Sequence, residues 1–422
     1  MSLIRAAVFS AALLASATLC AATDDLVLPK GFEATVVHEG VGVARHLAVR
    51  DNGDIYVTTH QLAFLGFDPA KRIGIVALRD TNGDHKPDVV QSFAKEFDGT
   101  GIHIYKDMLY VSDDVGVYRF HFKGNDLVPQ EPMETVVSGF PLERMHADKT
   151  FTIDNDGHLY VNVGAPSNSC QEKDRMAGSM GQNPCPLLEH YGGIWRFDAT
   201  KLNQTPKDGT RYATGLRNSI ALAWNDDVNS LYVTMHGRDQ LDMFPKFFTA
   251  KDNAVRTAEE FHRIVEGGNY GWPYTFFDTR TNTRLAAPEY GGDGKKRAER
   301  GKYSDPLIAF PAHWAPNDLL FYNGKNFPAS YRGGAFIAFH GSWNRAPEPQ
   351  AGYRVVFVPM KDGKPSGKWV TFADNFTGGP IKDNNPGNAR YRPMGLAVGP
   401  GGALYVVDDV KGRIWRIAYK GS

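Results

Sequence analysis

Four short segments of the sequence place titratable or cationic side chains next to a predicted strand. His146 lies just upstream of the predicted strand 150–153, where a neutral imidazole can accept a proton near neutral pH. Arg217 and Asn218 present a fork of N–H donors beside an amide, which suits an anionic, carbonyl-rich ligand. Taken singly, each of these residues is more often an ordinary loop or capping residue than a functional one.

The other two segments suit a metal cation and an anionic ligand. Gly237 and Arg238 follow the predicted strand 231–233, and a glycine turn there can expose backbone carbonyl oxygens, which Ca²⁺ prefers as ligands. Arg390 and Arg392 lie two residues apart on an extended segment, so both side chains project the same way and can bind carboxylates. The simpler alternatives are a turn between strands and a solvated basic strand edge.

A repeated strand pattern indicates the scaffold that positions these segments. A Gly, Asp or Asn turn followed by an aliphatic-Tyr-Val strand recurs in units of about 50 residues, which is typical of propeller blades. The sequence therefore predicts an all-β fold, a six-bladed β-propeller, whereas a two-sheet sandwich requires no such repeat. The aromatic positions of the six copies are Tyr56, Tyr110, Tyr160, Tyr232, Phe336 and Tyr405.

Longer intervals between copies predict insertions at about 167–186, 243–263 and 274–302. The best helical signal covers 251–265, and the absence of a low-complexity linker predicts one domain over 23–422. Propellers carry function on loops at the end of the channel where the first strands of the blades converge. The four chemistry-bearing segments are expected at that end.

The first 22 residues predict a cleaved export signal. Arg5 precedes an apolar run at 6–14, and small residues at 20–22 provide a cleavage site. This run is too short to span a bilayer, and no later stretch is apolar enough to do so. A lipid anchor on Cys20 is disfavoured because the bulky Leu19 precedes it. The mature chain is therefore expected in the periplasm or outside the cell.

Two cysteines remain after the signal, Cys170 and Cys185. In an exported chain they predict one disulfide that closes a polar loop. Two free thiols are the weaker alternative in an oxidising compartment, and a metal site would need more ligands than this spacing supplies.

Charge and missing motifs exclude several classes of protein. The chain has 47 Lys+Arg and 47 Asp+Glu, a formal charge of zero, so no basic field favours nucleic acid or an anionic membrane surface. A Gly-x-Ser-x-Gly elbow, a phosphate loop, a His-Glu-x-x-His motif and a Gly-rich dinucleotide signature are all absent. A serine hydrolase and a nicotinamide or flavin enzyme of the usual kind are therefore disfavoured.

Several segments together resemble the pyrroloquinoline quinone (PQQ)-dependent glucose/sorbosone dehydrogenase family, over about residues 28–419. The strongest match is Gly-Gly-Asn-Tyr-Gly-Trp-Pro at 267–273, with the Arg217–Asn218 pair upstream of it. The sequence looks more similar to the sorbosone dehydrogenase branch than to the soluble glucose dehydrogenase branch. The matching segments are 214–218, 236–239, 266–273, 339–345 and 392–398.

The resemblance implies a six-bladed propeller that oxidises a sugar or sugar aldehyde by hydride transfer to PQQ. His146 matches the family's catalytic base, and Gly237 and Arg238 match the turn that binds Ca²⁺ beside the quinone. PQQ is a tricarboxylate, so its site needs several fixed cations in this otherwise neutral chain. The positions that match its binding residues are Arg217, Asn218, Arg390 and Arg392. Where the glucose branch has a cofactor-binding Lys, the candidates are Asn344 and Arg345, and Arg345 is the better cation.

The resemblance also implies a substrate side of the site, where aromatic faces suit sugar rings. His313, Trp314 and Trp343 are the candidates there, with ordinary packing as the alternative. Met145 stands where the glucose branch has Asp, and Arg238 stands where that branch has Pro. These departures argue against assigning glucose as the substrate.

No Cys-x-x-Cys-His haem motif occurs, so electrons are expected to pass to an external acceptor, a cytochrome or a quinone. Two other functions stay open: a non-catalytic propeller that serves as a binding module, and a metal-dependent lactonase on the same fold. A lactonase would gather carboxylates and amides on one divalent metal. The arginine-rich set of this chain favours an anionic cofactor instead.

Overall fold

Tight turns between short apolar strands give the chain a series of antiparallel hairpins, and the hairpins assemble into blades. The computed structural model describes residues 26–61, 69–381 and 385–421. Over these residues six sheets of four or five strands form the blades of a β-propeller. The predicted all-β, six-bladed fold is confirmed.

Each blade runs outward from a first strand next to the central channel, and the blades follow one another along the chain. Blades 1 to 3 are β2 (Ala44–Val49), β3 (Ile55–Thr59), β4 (Ile75–Arg79) and β5 (Val89–Phe93); β6 (Gly101–Tyr105), β7 (Met108–Ser112), β8 (Gly116–His121) and β9 (Glu134–Ser138); and β10 (Phe151–Ile153), β11 (His158–Val163), β12 (Gly193–Asp198) and β13 (Thr210–Thr214). Blades 4 to 6 are β14 (Ala221–Asn225), β15 (Ser230–Met235), β16 (Glu259–Ile264) and β20 (Ile308–Phe310); β21 (Pro316–Phe321), β22 (Ala335–Phe339), β23 (Arg354–Val358) and β26 (Val370–Ala373); and β27 (Pro393–Val398), β28 (Leu404–Asp408), β29 (Ile414–Tyr419) and β1 (Phe32–His38). The remaining elements are α1 (Ala250–Arg256), β17 (Gly268–Asn269), which extends blade 3, and the hairpins β18 (Thr275–Asp278)–β19 (Thr283–Ala286) and β24 (Met360–Lys361)–β25 (Lys364–Pro365).

The repeated tyrosine lies on the second strand of a blade, where it is buried against the next blade. The Tyr56 hydroxyl donates to the carbonyl oxygen of Leu127 at 2.7 Å, and the Tyr110 hydroxyl donates to that of Ala199 at 3.0 Å. Both tyrosine side chains are fully buried. Because each ring packs while its hydroxyl is satisfied by the neighbouring blade, the sequence repeat marks a contact between blades.

The N-terminal strand closes the ring of blades. β1 pairs antiparallel with β29, with Phe32 opposite Tyr419. The Phe32 ring also packs edge-on against Phe327 and Phe372, with ring centroids 4.8 and 5.0 Å apart. Blade 6 is therefore built from both ends of the described chain.

The helix predicted at 251–265 is wrong in its second half. α1 covers only Ala250–Arg256, and the side chain of Thr249 caps its first turn. The residues that follow form β16, which begins inside the insertion predicted at 243–263 and ends one residue beyond it. Pairing of β16 with β15 buries Phe261 completely, and this packing outweighs the local helical tendency.

The insertion predicted at 167–186 leaves blade 3 between β11 and β12 and contains a disulfide. The sulfur atoms of Cys170 and Cys185 are 1.99 Å apart and their Cα atoms 6.1 Å apart, which confirms the predicted pairing. Both residues are buried against Trp272. The insertion predicted at 274–302 likewise leaves blade 4, between β16 and β20.

Replacing Cys170 and Cys185 by serine should lower the free energy of unfolding by about 3 kcal/mol, because the crosslink restricts the unfolded chain. The sequence separation of the two cysteines is 15 residues. Urea unfolding of the wild type and the double variant, with and without a reductant, measures the effect. A reductant should lower the unfolding midpoint of the wild type only. Equal stability of the two proteins without reductant would contradict the prediction.

No helix among residues 26–61, 69–381 and 385–421 is long and apolar enough to cross a membrane. The export signal predicted at 1–22 lies outside the described residues. The single domain predicted at 23–422 stays a prediction.

Candidate active site

Charged and imidazole side chains from all six blades collect at one end of the propeller. In an antiparallel hairpin, the start of the first strand and the end of the second lie at the same edge, so residues flanking equivalent strand pairs meet there. These side chains are buried or half-buried. They are Arg45, His60, Asp114, Asp148, Arg217, His236, His340, Arg392 and Asp409.

His146 lines a cleft of about 1030 Å³ at this end of blades 1 to 3. Its φ of 55° is in the left-handed region, which residues other than glycine rarely adopt and which is often found at functional sites. Its Nδ1 lies 2.5 Å from the carbonyl oxygen of Ala165. Because a carbonyl oxygen can only accept, Nδ1 carries the proton and Nε2 keeps a lone pair. The ring is thus arranged to accept a proton at Nε2.

The surroundings of His146 keep its imidazole neutral. Burial lowers the pKa of His146 to about 3, and the nearby Arg217 guanidinium acts in the same direction. Close packing behind the histidine requires Gly164, because a Cβ there would lie 2.6 Å from the His146 carbonyl oxygen and 3.0 Å from Asn218 Oδ1. The end of β11 therefore holds the base beside the Arg–Asn pair.

Arg217 is 3% exposed, and four acceptor atoms hold its guanidinium, one of them the Asn168 carbonyl oxygen 3.3 Å from Nε. Nη1 donates to the carbonyl oxygen of Gly237 at 3.1 Å, and Nη2 donates to Asp239 Oδ2 at 3.0 Å and to Asn168 Oδ1 at 3.1 Å. Burial by itself would raise the pKa of Asp239, but Arg217 and His313 hold it well below its usual range. Arg217 and Asp239 thus form an ionised pair at the site.

Asn218 Oδ1 and Arg45 Nε are among the buried polar atoms at this end that have no hydrogen-bond partner among the described residues. Arg45 is 3% exposed, and its Nη2 donates to Asp148 Oδ2 at 3.1 Å. An unsatisfied buried polar atom is costly, so such atoms point to a ligand that completes them. One acceptor and one cationic donor are therefore available to a bound group.

The turn at Gly237 and Arg238 is surrounded by acidic side chains. The backbone N–H of Gly237 donates to Glu259 Oε2 at 3.0 Å, and burial raises the pKa of Glu259 to about 7. The Arg238 side chain turns away and pairs with buried Glu289. The turn can therefore offer backbone and carboxylate oxygens to a cation, although the Gly237 carbonyl oxygen already accepts from Arg217.

Arg392 reaches the same end from blade 6 and is 5% exposed. Its Nε and Nη2 donate to the carbonyl oxygens of His340 and Gly341 at 3.1 and 2.8 Å. The guanidinium also lies 4.4 Å from the centre of the Trp343 ring. His340 in turn contacts Asp409 Oδ2 through Nε2 at 2.8 Å. Arg392 is thus held in a fixed position beside an exposed aromatic face.

The other predicted site residues lie in different surroundings. Arg345 donates to the carbonyl oxygens of Ala254, Ala312 and Pro349. Arg390 is half-buried and lies 5.6 Å from the centre of the Tyr391 ring.

His313 is brought into the site, whereas Trp314 is not. His313 Nδ1 lies 3.4 Å from the Asp239 carboxylate. Trp314 packs in the hydrophobic core against Phe339 and Trp369. Trp343 is 53% exposed and presents its face at the edge of the site.

Several residues at this end were missed by sequence reasoning, among them Arg45, His60, Asp114, Asp148 and Asp409. Each lies inside the start of a first strand, just before one, or just after a second strand. Their shared position relative to the first two strands of a blade is the signal that could have identified them, because His146 and Arg217 also lie just before a first strand. Their meeting could be inferred only once the blades were aligned on one another.

The fold agrees with structures of sugar-oxidising proteins. The PQQ domain of pyranose dehydrogenase from Coprinopsis cinerea superposes with a TM-score of 0.72 at 17% identity, over 93% of this chain and 97% of that one. A calcium structure of family AA12 from Trichoderma reesei gives a TM-score of 0.72 at 19% identity, over 94% and 97%. The apo form of an Escherichia coli aldose sugar dehydrogenase gives 0.57 at 16% identity, over 92% and 99%. These likenesses show the fold.

Sequence relatives cover less of the chain. A PQQ-dependent pyranose dehydrogenase of Coprinopsis cinerea is 26% identical over 281 residues, 57% of this chain and 36% of the relative. An uncharacterized protein of Borreliella burgdorferi is 27% identical over 222 residues, 52% of this chain and 51% of the relative. The chain thus spans about half or less of the length of these relatives.

A family model described as TrAA12-like matches residues 26–420, nearly the whole chain. The resemblance to PQQ-dependent sugar dehydrogenases inferred from the motifs is confirmed, while closeness to the sorbosone branch stays a prediction. The chain belongs to the TrAA12-like family.

Proposed function

We propose that this chain is a quinoprotein oxidoreductase that oxidises a sugar or sugar aldehyde, with PQQ as cofactor and His146 as the general base. The observation that carries the proposal is a neutral imidazole, with Nε2 free to accept a proton, next to the buried Arg217 in a chain without net charge. The printed names of the relatives, a PQQ-dependent pyranose dehydrogenase and a carbohydrate-active family, support the cofactor and the substrate class.

The buried cations suit a cofactor that carries three carboxylates. Arg45, Arg217 and Arg392 are each 5% exposed or less and supply fixed positive charge from blades 1, 4 and 6. Asn218 Oδ1 and Arg45 Nε lack partners and would be completed by the bound group. When bound, PQQ supplies a quinone that accepts a hydride. Arg345 and Arg390 stay candidates for outer contacts with its carboxylates.

His146 performs the proton transfer in this proposal. Its Nε2 takes the proton of the substrate hydroxyl while the carbon that bears the hydroxyl gives up its hydride. The bond from Nδ1–H to Ala165 fixes the ring and its tautomer, so the reaction requires no rearrangement of the base. The exposed face of Trp343 and the buried His313 are the proposed substrate-side residues.

Ca²⁺ is proposed at the turn of Gly237 and Arg238. Oxygen ligands are available from that turn and from the neighbouring Asp239 and Glu259 carboxylates. A bound divalent cation would favour the ionised form of Glu259, whose pKa is raised to about 7 by burial. The cation would in turn polarise the cofactor.

The proposal includes a periplasmic or extracellular location and an external electron acceptor, a cytochrome or a quinone. The buried Cys170–Cys185 disulfide supports an oxidising compartment. The binding-module and lactonase alternatives are disfavoured because neither needs three buried arginines at the end of the propeller that carries a neutral histidine.

Titration of the metal-stripped chain with PQQ, with and without Ca²⁺, tests the proposal through the absorbance of the cofactor. One PQQ per chain is expected, and Arg392→Gln should weaken binding by at least about tenfold through loss of a charge-assisted contact. Arg50→Gln is the matched control. Arg50 also donates to backbone carbonyl oxygens, those of Gly124 and Asp126 at 3.1 and 3.2 Å, but lies in the turn after β2 at the opposite end of blade 1. Absence of PQQ binding under both conditions would refute the proposal.

A further inference from the structure

One imidazole and two carboxylates from three different blades converge in the cleft that His146 also lines. His60 follows β3, Asp114 follows β7 and Asp148 precedes β10. The His60 Nε2 atom lies 3.8 Å from Asp114 Oδ1 and 3.8 Å from Asp148 Oδ1. One nitrogen or oxygen atom from each residue lies within 4.8 Å of the other two. Three side chains that can act as metal ligands therefore lie around a common point.

The partners of these side chains are incomplete. His60 is 8% exposed, yet neither ring nitrogen forms a hydrogen bond with a described residue within normal geometry, and Nδ1 lies 3.5 Å from Asp98. Asp114 Oδ1, one of the two oxygens near His60 Nε2, is also buried without a partner. Asp148 is better supported, by Thr100 Oγ1 at 2.6 Å and by Arg45 at 3.1 Å. The imidazole thus has only long contacts, 3.5–3.8 Å, with the surrounding carboxylates, which are weak for a buried polar group and which a bound ion would improve.

Acidic side chains are concentrated at this point, although Arg72 and Arg144 also line the cleft. Asp98, Asp113, Asp114 and Asp148 all line the cleft. Arg45 is shared between Asp148 and Asp409, at 3.1 and 3.7 Å, and the buried Lys149 ammonium donates to the Ala147 carbonyl. A cation bound here would reduce the repulsion between the Asp114 and Asp148 carboxylates, which both lie 3.8 Å from His60 Nε2.

A second trio of the same composition shows the contrast. Asp154, Asp156 and His158 lie in the turn between β10 and β11. There Asp154 Oδ1 accepts from the backbone N–H groups of Asp156 and His158, and Oδ2 accepts from Tyr160 and the His158 ring. Its oxygens are already used in shaping the turn. Of these two trios among the described residues, the one in the cleft combines proximity with unsatisfied atoms.

We propose that His60, Asp114 and Asp148 bind a divalent first-row transition metal ion, Mn²⁺ or Zn²⁺, at a site separate from the Gly237–Arg238 turn. Imidazole suits Zn²⁺ and other transition ions, while carboxylates suit Mn²⁺, and a mixed set excludes a hard, all-oxygen Ca²⁺ or Mg²⁺ site.

The geometry is within reach of such an ion. Ligands about 2.1 Å from a metal lie about 3.0–3.4 Å from one another. The two 3.8 Å separations would need to contract by about 0.4–0.8 Å, and the carboxylate oxygens, which lie within 4.8 Å of each other, would also have to move closer on binding the ion. Three protein ligands leave positions open towards the cleft for water or a substrate oxygen. The site goes beyond the proposed PQQ chemistry and does not depend on it.

Titration of the full chain with Mn²⁺ after chelation, followed by electron paramagnetic resonance, tests the inference. We expect one Mn²⁺ per chain with nitrogen hyperfine coupling from His60, and displacement of the ion by Zn²⁺. His60→Asn should abolish the nitrogen coupling, and both His60→Asn and Asp114→Asn should weaken binding by at least about tenfold. Asp114 is in a loop and half-buried, so its variant keeps the test valid if His60→Asn folds poorly.

His158→Asn is the matched control, because it removes the histidine of the second trio. Its Mn²⁺ affinity and its nitrogen coupling should stay at the wild-type values. An absence of Mn²⁺ binding would overturn the inference. So would Mn²⁺ bound without nitrogen coupling, because the ion would then be held by oxygen ligands such as those of the 237–238 turn. A loss of Mn²⁺ affinity in His158→Asn alone would overturn it as well.

Discussion

Replacing His146 by glutamine should lower kcat of the PQQ-loaded protein by about 10³-fold, the usual contribution of a positioned general base. Glutamine approximates the length of histidine but cannot take a proton at neutral pH. The affinity for PQQ should stay within about twofold, because His146 is neutral and supplies no charge to an anionic cofactor. Steady-state turnover with a panel of sugars and an artificial acceptor, together with a PQQ titration, measures both effects.

The pH profile provides an independent test of the same histidine. Burial lowers its pKa to about 3, so falling pH destroys the base form only far below the ordinary imidazole value of about 6.5. The acid limb of kcat/KM is therefore expected well below pH 6. His158→Gln, at the other end of blade 3, should leave turnover unchanged. Full turnover in His146→Gln would remove this residue from the mechanism.

The number of blades could be predicted because an aromatic residue recurs on the second strand of each blade, a tyrosine in five of them and Phe336 in blade 5. Tyr56 and Tyr110 recur in sequence since each fills the space between its blade and the next and finds a carbonyl oxygen there. The helical pattern at 251–265 misled because it is local, whereas Phe261 is buried by pairing with β15, far away in sequence. Patterns that report packing predicted the fold better than patterns that report local propensity.

The site was only partly predictable for a related reason. His146, Arg217 and Asn218 lie in segments with recognisable motifs, and the structure places the three close together. His60 and Asp114 have no motif around them and acquire a possible role only because two different blades bring them to one cleft. Such convergence depends on register within each blade, which the spacing of the repeats does not specify.

The Arg217–Asp239 pair should contribute most to the stability of the site. Asp239→Asn is expected to lower the free energy of unfolding by about 3–5 kcal/mol, because it leaves the buried Arg217 guanidinium without its counter-charge. The side chain of Arg217 is 4% exposed and lies 3.0 Å from Asp239 Oδ2. Urea unfolding at neutral pH measures the loss.

Glu266→Gln provides the matched control, since Glu266 accepts two hydrogen bonds from Arg196 at 3.0 and 3.2 Å but is 56% exposed. Solvent screens such a pair, so this variant should lose less than about 1 kcal/mol. Similar losses of unfolding free energy in the two variants would show that burial of the Arg217–Asp239 pair does not increase its contribution to stability.

Acid unfolding separates the charge of Asp239 from its packing. The pKa of Asp239 is held well below its usual range in the folded protein, so its ionised form stabilises the fold above about pH 4, the value of an unfolded aspartate. That contribution is lost as pH falls further, towards the folded-state pKa. The difference in unfolding free energy between wild type and Asp239→Asn should therefore narrow below pH 4. A difference that stays constant with pH would mean that Asp239 acts through its shape and not through its charge.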